Sequence, residues 1–117
     1  MGTSGGGGGR TRVVVVAHDH ADTITDCLDG IAAQGPGRSD VVVVDLGSLD
    51  GTTDVAIRHA LPDRVAVTPP GDLDRILEVG SVDAPSDRIV VVGADLRPEP
   101  GWLDAAHRAL DQHPLVL

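Results

Sequence analysis

Residues 13–34, VVVVAHDHADTITDCLDGIAAQ, join a short run of valines to a longer amphipathic segment through a polar loop. The apolar run from Arg12 to Ala17 has the length and the β-branched composition of a buried strand. From Ala21 to Gln34, apolar side chains recur at helical spacing, and these are Ile24, Cys27, Leu28 and Ile31. The stretch therefore predicts one strand followed by one helix.

The same alternation continues along the chain. Three further β-branched runs predict strands at Asp40 to Asp45, Arg64 to Thr68 and Arg88 to Val92. Amphipathic segments predict helices at Thr52 to Leu61, at Leu73 to Val79, and from Trp102 to near His113. Strands that alternate with helices are typical of βαβ units. Right-handed crossovers then predict an α/β fold, a three-layer, half Rossmann-like domain with a mostly parallel sheet of about four strands in the order 3-2-1-4.

Chain length and composition indicate a single folded domain, because 117 residues can enclose one compact core. Residues 1–11 are predicted to be a disordered tail, since the run MGTSGGGGG cannot bury apolar surface. The domain is expected to occupy residues 12–117. Leu115 to Leu117 resemble the start of another strand, so we expect the domain to be truncated at its carboxyl end.

The charge balance excludes several classes of partner. Eighteen acidic residues against nine Lys and Arg give a net charge of −9, which repels the phosphate backbone of nucleic acids.

The apolar runs fall far short of the roughly 20 residues of a membrane-spanning helix. No signal peptide is evident, which predicts a cytoplasmic location. Cys27 is the single cysteine, so an internal disulfide is excluded and a packed side chain is expected.

Acidic residues follow three of the predicted strands. The segments are AHDH at 17–20, DLGSLDG at 45–51 and GADL at 93–96. In open α/β sheets, ligands bind outside the carboxyl ends of the strands where the strand order reverses, which here lies between the first and fourth strands. Carboxylates from separate strand ends suit a divalent cation with a diphosphate. Each segment alone would equally suit an ordinary turn, because Asp and Gly are favoured there.

These segments resemble the motifs of family 2 glycosyltransferases, which are nucleotide-diphospho-sugar transferases of the GT-A type fold. Residues 13–34 resemble the opening strand and helix with its P-A-Y-N-E loop, and residues 40–52 are similar to the second strand with D-D-G-S-T-D-G-T. Residues 88–114 resemble the stretch that contains the D-A-D-D metal motif. The three motifs occur in the family's order over residues 12–114, so the resemblance implies the N-terminal, donor-binding half.

The resemblance implies a set of site residues, in which several family positions have changed. Nucleotide-sugar contacts are expected from Ala17, His18, His20, Asp45, Gly47 and Ser48. His18 stands where the family has a Tyr against the base, and His20 replaces a Glu. Leu46 falls where an Asp would accept a hydrogen bond from uracil. Asp95 matches the carboxylate directed at Mg²⁺ or Mn²⁺, whereas Gly93 and Leu96 occupy acidic positions of that motif.

The resemblance leads to two hypotheses about function, and a third class of protein stays open. The first is a glycosyltransferase that binds a nucleoside diphosphate sugar with a divalent cation and transfers the sugar to an unknown acceptor. The resemblance implies a second half that supplies the acceptor pocket and the catalytic base, so we expect this chain alone not to turn over, and we expect self-association or pairing with an acceptor-binding chain. The alternative is a catalytically degenerate binding or scaffold module. A flavodoxin-like signalling domain is the third class.

Overall fold

A computed structural model of the chain describes residues 11–34, 39–80, 88–110 and 115–116. Strands and helices alternate along these residues. Their bounds are β1 (Thr11–Ala17), α1 (Ile24–Ala32), β2 (Ser39–Asp45), α2 (Thr52–Arg58), β3 (Arg64–Val67), α3 (Leu73–Gly80), β4 (Arg88–Gly93), α4 (Trp102–Leu110) and β5 (Leu115–Val116). The predicted tail lies outside the described residues except for Thr11, which begins β1.

The strands form one sheet in the order β3-β2-β1-β4-β5, and every neighbouring pair is parallel. Val14 of β1 is in register with Val42 of β2 on one side and Val91 of β4 on the other. The predicted α/β class and the order 3-2-1-4 are confirmed. A fifth strand, β5, extends the sheet beside β4.

The valine runs form strands because both faces of the sheet are covered. Successive side chains on a strand point to opposite faces. Val13 and Val15 pack in a cluster with α1, α2 and α4, whereas Val14 packs on the other face with side chains of α3. All three valines are fully buried. One face of the sheet therefore carries three helices and the other face carries α3.

Two helices have ends that differ from the predicted ones, because neighbouring loop residues form hydrogen bonds there. α1 begins at Ile24 instead of Ala21, because the N–H groups of Thr23 and Ile24 both donate to the carbonyl of His20 and form a turn. α2 ends at Arg58, and the next residue, His59, is extended. The ring Nδ1 of His59 accepts the N–H of Leu61 at 3.1 Å, so the chain turns away before Pro62.

Two glycines let helices approach closely. A Cβ atom at Gly80 would lie 2.9 Å from the methyl groups of Val14, so α3 rests directly on β1. The carbonyl of Gly80 also accepts a hydrogen bond of 3.0 Å from Arg12 Nη1, which places a cation at the carboxyl end of α3. A Cβ atom at Gly30 would lie 2.7 Å from the carbonyl oxygen of Pro98. No helix among the described residues is long and apolar enough to cross a bilayer.

Candidate functional site

The loops that follow β1, β2 and β4 leave the sheet at the carboxyl ends of these strands. Since all the strands are parallel, these ends lie at one edge of the sheet. We call this edge the rim, and its parts are the first loop (residues 18–23, after β1), the second loop (46–51, after β2) and the third loop (94–101, after β4). Ala17 is in register with Asp45, and Val16 with Gly93, so β1 lies between the other two strand ends.

The first and second loops are joined by hydrogen bonds in both directions. The N–H of Asp19 donates to Ser48 Oγ at 2.8 Å, and the N–H of Leu49 donates to Asp19 Oδ1 at 2.7 Å. The N–H of His20 donates to Thr52 Oγ1 at 2.8 Å. The two loops therefore form one unit, although about 30 residues separate them in sequence.

Asp45 is the central anchor of the second loop. Its side chain is buried, and its Oδ1 accepts the Ser48 N–H at 3.0 Å and the Ser48 hydroxyl at 2.6 Å. Its Oδ2 accepts the hydroxyl of Thr53. Burial acts to raise the pKa of Asp45, but the hydrogen bonds from Ser48 and Thr53 outweigh it and hold the pKa below its ordinary value. Both carboxylate oxygens are thus engaged within the chain.

Asp50 ties the second loop back to the first. It accepts hydrogen bonds from the hydroxyl and the N–H of Thr52 and from the N–H of Ala21 at 3.0 Å. These bonds, led by the Thr52 hydroxyl, lower the pKa of Asp50. Asp19 and Asp50 were not among the predicted site residues. The available signal for Asp50 was its position just before a helix, where Asp is favoured as a cap.

The remaining predicted nucleotide residues lie in this unit. Ala17 is buried, and its carbonyl accepts the N–H of Leu46 at 2.8 Å. Gly47 has a φ of 79°, a left-handed conformation that glycine adopts without strain. His18 is exposed, whereas Nδ1 of His20 accepts the N–H of His18 at 2.9 Å. The His18 ring is therefore the more accessible of the two imidazoles at the rim.

Asp95 lies apart from this unit, in the third loop. Its side chain is exposed, and its carboxylate accepts no hydrogen bond from any residue that the structure describes. A Cβ atom at Gly93 would lie 2.8 Å from Asp95 Oδ1, so the carboxylate folds back over β4. The third loop is held by two hydrogen bonds of Ala94, whose N–H donates to Val16 and whose carbonyl accepts the Thr23 hydroxyl at 3.1 Å.

Cys27 lies beneath the third loop. Its thiol donates to the carbonyl of Gly93 at a sulfur to oxygen distance of 3.8 Å, and the residue is fully buried. Burial and, secondarily, the negative charge of Asp95 raise the pKa of the Cys27 thiol to about 12. The thiol is therefore protonated at neutral pH and packs as a small apolar group, as predicted.

Of the two acidic residues that the motifs place at the ends of β2 and β4, only Asp95 has a carboxylate that accepts no hydrogen bond from a described residue. The described residues contain no group of three His, Cys, Asp or Glu side chains that could hold a metal ion. The ends of β2 and β4 are two strand spacings apart, roughly 10 Å, so Asp45 and Asp95 lie on opposite sides of β1. Mg²⁺ takes few protein ligands and keeps several waters. The residues fit such an ion only if phosphate oxygens of a bound ligand complete the set around Asp95.

Comparison with known proteins supports the family resemblance that the motifs indicate. The family model described as Glycosyl transferase family 2 matches residues 12–117. No curated protein matches the chain. The family match spans all five strands and includes the three loops of the rim, so it favours the glycosyltransferase resemblance over a flavodoxin-like signalling domain.

Proposed function

The chain belongs to glycosyl transferase family 2, and we propose that it binds a nucleoside diphosphate sugar at the rim and presents the sugar for transfer to an acceptor. The observation that carries this proposal is the coincidence of two findings. The family match includes all three loops, and the parallel sheet gathers those loops at the edge where α/β folds bind their ligands.

The charges at the rim support a cation-dependent mode of binding. Asp19, Asp50 and Asp95 are exposed there, and a diphosphate beside them would meet carboxylates of the same sign. Two like charges 4 Å apart repel by about 4 kcal/mol near a protein surface. We therefore include Mg²⁺ or Mn²⁺ in the proposal, with Asp95 as its protein ligand. When bound, the ion would neutralise the diphosphate leaving group.

The individual loops suggest how the rest of the donor is held. The exposed imidazole of His18 can stack on the nucleotide base. Gly47, with its left-handed backbone, leaves open space beside the second loop, because an added Cβ there would meet no atom within 4 Å. Leu46 packs partly buried against the apolar cluster under α3, so this position presents no carboxylate to a base. We propose weak discrimination between bases.

A degenerate module without turnover is the second candidate. Two observations favour it: both oxygens of Asp45 are engaged by Ser48 and Thr53, and no metal-binding group of three residues occurs in the described ranges. This reading predicts no cation-dependent nucleotide binding. Self-association, pairing with an acceptor-binding chain and a cytoplasmic location stay predictions.

The experiment that separates the two candidates is calorimetric titration with UDP and GDP, each with and without Mn²⁺. The donor-binding proposal predicts binding that needs Mn²⁺ and is lost in Asp95→Ala. Asp74→Ala is the matched control, since Asp74 is exposed on α3 on the other face of the sheet. A folded wild-type chain that binds neither nucleotide under any of these conditions would favour the degenerate module.

A further inference from the structure

A cleft of about 380 Å³ opens in the third loop, directly after Asp95 in the chain. Its volume lies in the range of about 300 to 1,000 Å³ that is usual for small-molecule sites. The lining residues are Leu96, Arg97, Glu99, Pro100, Gly101 and Trp102. Asp45, Asp50 and the other groups of the first and second loops do not line it.

Trp102 is the single aromatic residue of the chain. The core is built from aliphatic side chains, and Trp102 packs against its edge while remaining partly exposed in the cleft. Its indole N–H donates no hydrogen bond to any described residue. A buried Trp normally forms a hydrogen bond through that group. The partly exposed Trp102 therefore offers a ligand both a flat apolar face and a hydrogen-bond donor.

The cleft is fixed at two points, by Gly30 of α1 and by Gln34, which follows that helix. Pro98 is buried against Gly30, where an added Cβ would lie 2.7 Å from the proline carbonyl. The amide of Gln34 bridges the ends of the cleft: its Nε2 donates to the carbonyl of Glu99 at 2.9 Å, and its Oε1 accepts the N–H of Leu103 at 3.1 Å. A ligand would therefore meet a preformed surface and lose little free energy in ordering it.

The polar groups of the cleft suit a neutral, hydroxylated ligand. Arg97 lies in an ion pair of 2.5 Å with Asp26 of α1, so its charge is already compensated. The carboxylate of Glu99 is exposed and accepts no hydrogen bond within the described part of the chain. An uncompensated carboxylate repels phosphate but accepts hydrogen bonds from hydroxyl groups strongly. This combination disfavours the diphosphate of a donor and favours a sugar.

We infer that this cleft is a carbohydrate subsite that binds one pyranose ring of the acceptor. The apolar C–H face of the ring stacks on the Trp102 indole, and hydroxyl groups hydrogen-bond to the Glu99 carboxylate and to the indole N–H. The role as acceptor subsite rests on the proposed function, because it needs a donor held at the rim beside Asp95. The carbohydrate assignment itself rests on the cleft.

Intrinsic fluorescence gives the first test, since Trp102 is the chain's only fluorescent aromatic residue. The wild-type chain is titrated with methyl β-glucoside, N-acetylglucosamine and a β-1,4-linked glucose tetrasaccharide, with glycerol, which has no pyranose ring, as the viscosity control. We expect a saturable change with a dissociation constant of about 1 to 10 mM for at least one pyranoside. No saturable change with any of these probes would overturn the inference.

Calorimetry of variants then locates the site. Glu99→Gln should weaken binding of that saccharide about tenfold, because a hydrogen bond to a charged group is replaced by one to a neutral group. Glu78→Gln, on α3 at the other face of the sheet, is the matched control and should bind normally. Trp102→Leu keeps an apolar side chain at the core and should abolish binding. Unchanged affinity in Glu99→Gln and in folded Trp102→Leu would overturn the inference.

Parallel titration with UDP and Mn²⁺ separates the two proposals. Saccharide binding without nucleotide binding would keep the carbohydrate site and refute the donor-binding proposal. Nucleotide binding without saccharide binding would do the reverse.

Discussion

The two sides of the rim use the same residue type in different ways. On the side of β1 and β2, the carboxylate of Asp45 is buried and both its oxygens accept hydrogen bonds from the second loop and α2. On the side of β4, Asp95 is exposed, and its carboxylate accepts no hydrogen bond from a described residue. The two residues lie at the same edge of the sheet, on either side of β1.

This difference indicates that Asp45 contributes mainly to stability and that Asp95 is available to bind a ligand. A hydrogen bond to a charged group contributes roughly 1.5 to 3 kcal/mol when it is buried, so Asp45 has a large share in holding the rim together. An exposed carboxylate adds little to stability but remains available to a cation. We therefore assign the carboxylate of Asp45 to folding and the carboxylate of Asp95 to cation binding.

Removal of the Asp45 carboxylate should have the largest effect on stability. Asp45→Ala leaves the Ser48 N–H and two hydroxyl groups without their acceptor, so we expect the free energy of unfolding to fall by about 3 kcal/mol. Urea denaturation measures this loss. Asp95→Ala is the matched control and should change stability by less than about 0.5 kcal/mol. Equal losses in the two variants would contradict this assignment.

Acid should erase part of the contribution of Asp45. The hydrogen bonds from Ser48 and Thr53 outweigh burial and lower the pKa of Asp45, so the folded state favours the carboxylate. This contribution is complete above the unfolded pKa of about 4 and is lost as the pH falls through the lower folded pKa. Urea denaturation from pH 7 to pH 2.5 should show the gap between wild type and Asp45→Asn narrowing in acid. A gap that stays constant would show that the charge of Asp45 is not what stabilises the loop.

The link between the first and second loops should be weaker than the Asp45 anchor. Asp19→Ala removes the acceptor of the Leu49 N–H. It also places alanine, which disfavours the left-handed region, at a position with a φ of 59°. We therefore expect the free energy of unfolding to fall by about 1 kcal/mol. The Leu49 amide should exchange its hydrogen faster. Asp19→Asn keeps a side-chain oxygen and tolerates this conformation, so it should recover most of the loss. An Asn variant as unstable as the Ala variant would contradict this account.

Gly93→Ala should have the smallest effect on stability. The added methyl group would lie 2.8 Å from Asp95 Oδ1, and the exposed side chain can move aside, so the free energy of unfolding should change by less than about 0.5 kcal/mol. The affinity for UDP with Mn²⁺ should nevertheless fall, because the carboxylate is displaced. Calorimetry and urea denaturation of the same preparation measure both quantities. A large loss of stability without loss of affinity would reverse the roles of the two sides.

The fold was largely predictable because its signals are local. Runs such as Val41 to Val44 have the composition of strands covered on both faces, and the strand order followed from the handedness of crossovers. The helix ends were less predictable. α1 begins three residues later than its apolar pattern suggests, because the carbonyl of His20 organises a turn before it. That turn depends on the contact of His20 with Thr52, a residue far away in sequence.

The candidate site was predictable in position and only partly in its chemistry. The motifs placed three loops at one edge, which the parallel sheet confirms. The hydrogen bonds of Asp19 with Leu49 and of Asp50 with Ala21 join loops about 30 residues apart, so no local pattern predicts these two bonds. From the sequence, Trp102 was predicted only to begin the last helix. Its opening to a cleft depends on how Gln34 and Gly30 of the first helix region hold the third loop.

Paramagnetic broadening of backbone amide signals by Mn²⁺ in the presence of UDP shows whether Asp95 holds the cation, because it locates the ion on the rim. We expect the amides of Asp95 and Leu96 to broaden at the lowest Mn²⁺ concentration. Asp95→Asn should abolish this broadening and leave the chemical shift of the Asp45 amide unchanged. Broadening that centres on Asp19 and Asp50, or that persists unchanged in Asp95→Asn, would contradict the assignment of ligand chemistry to the side of β4.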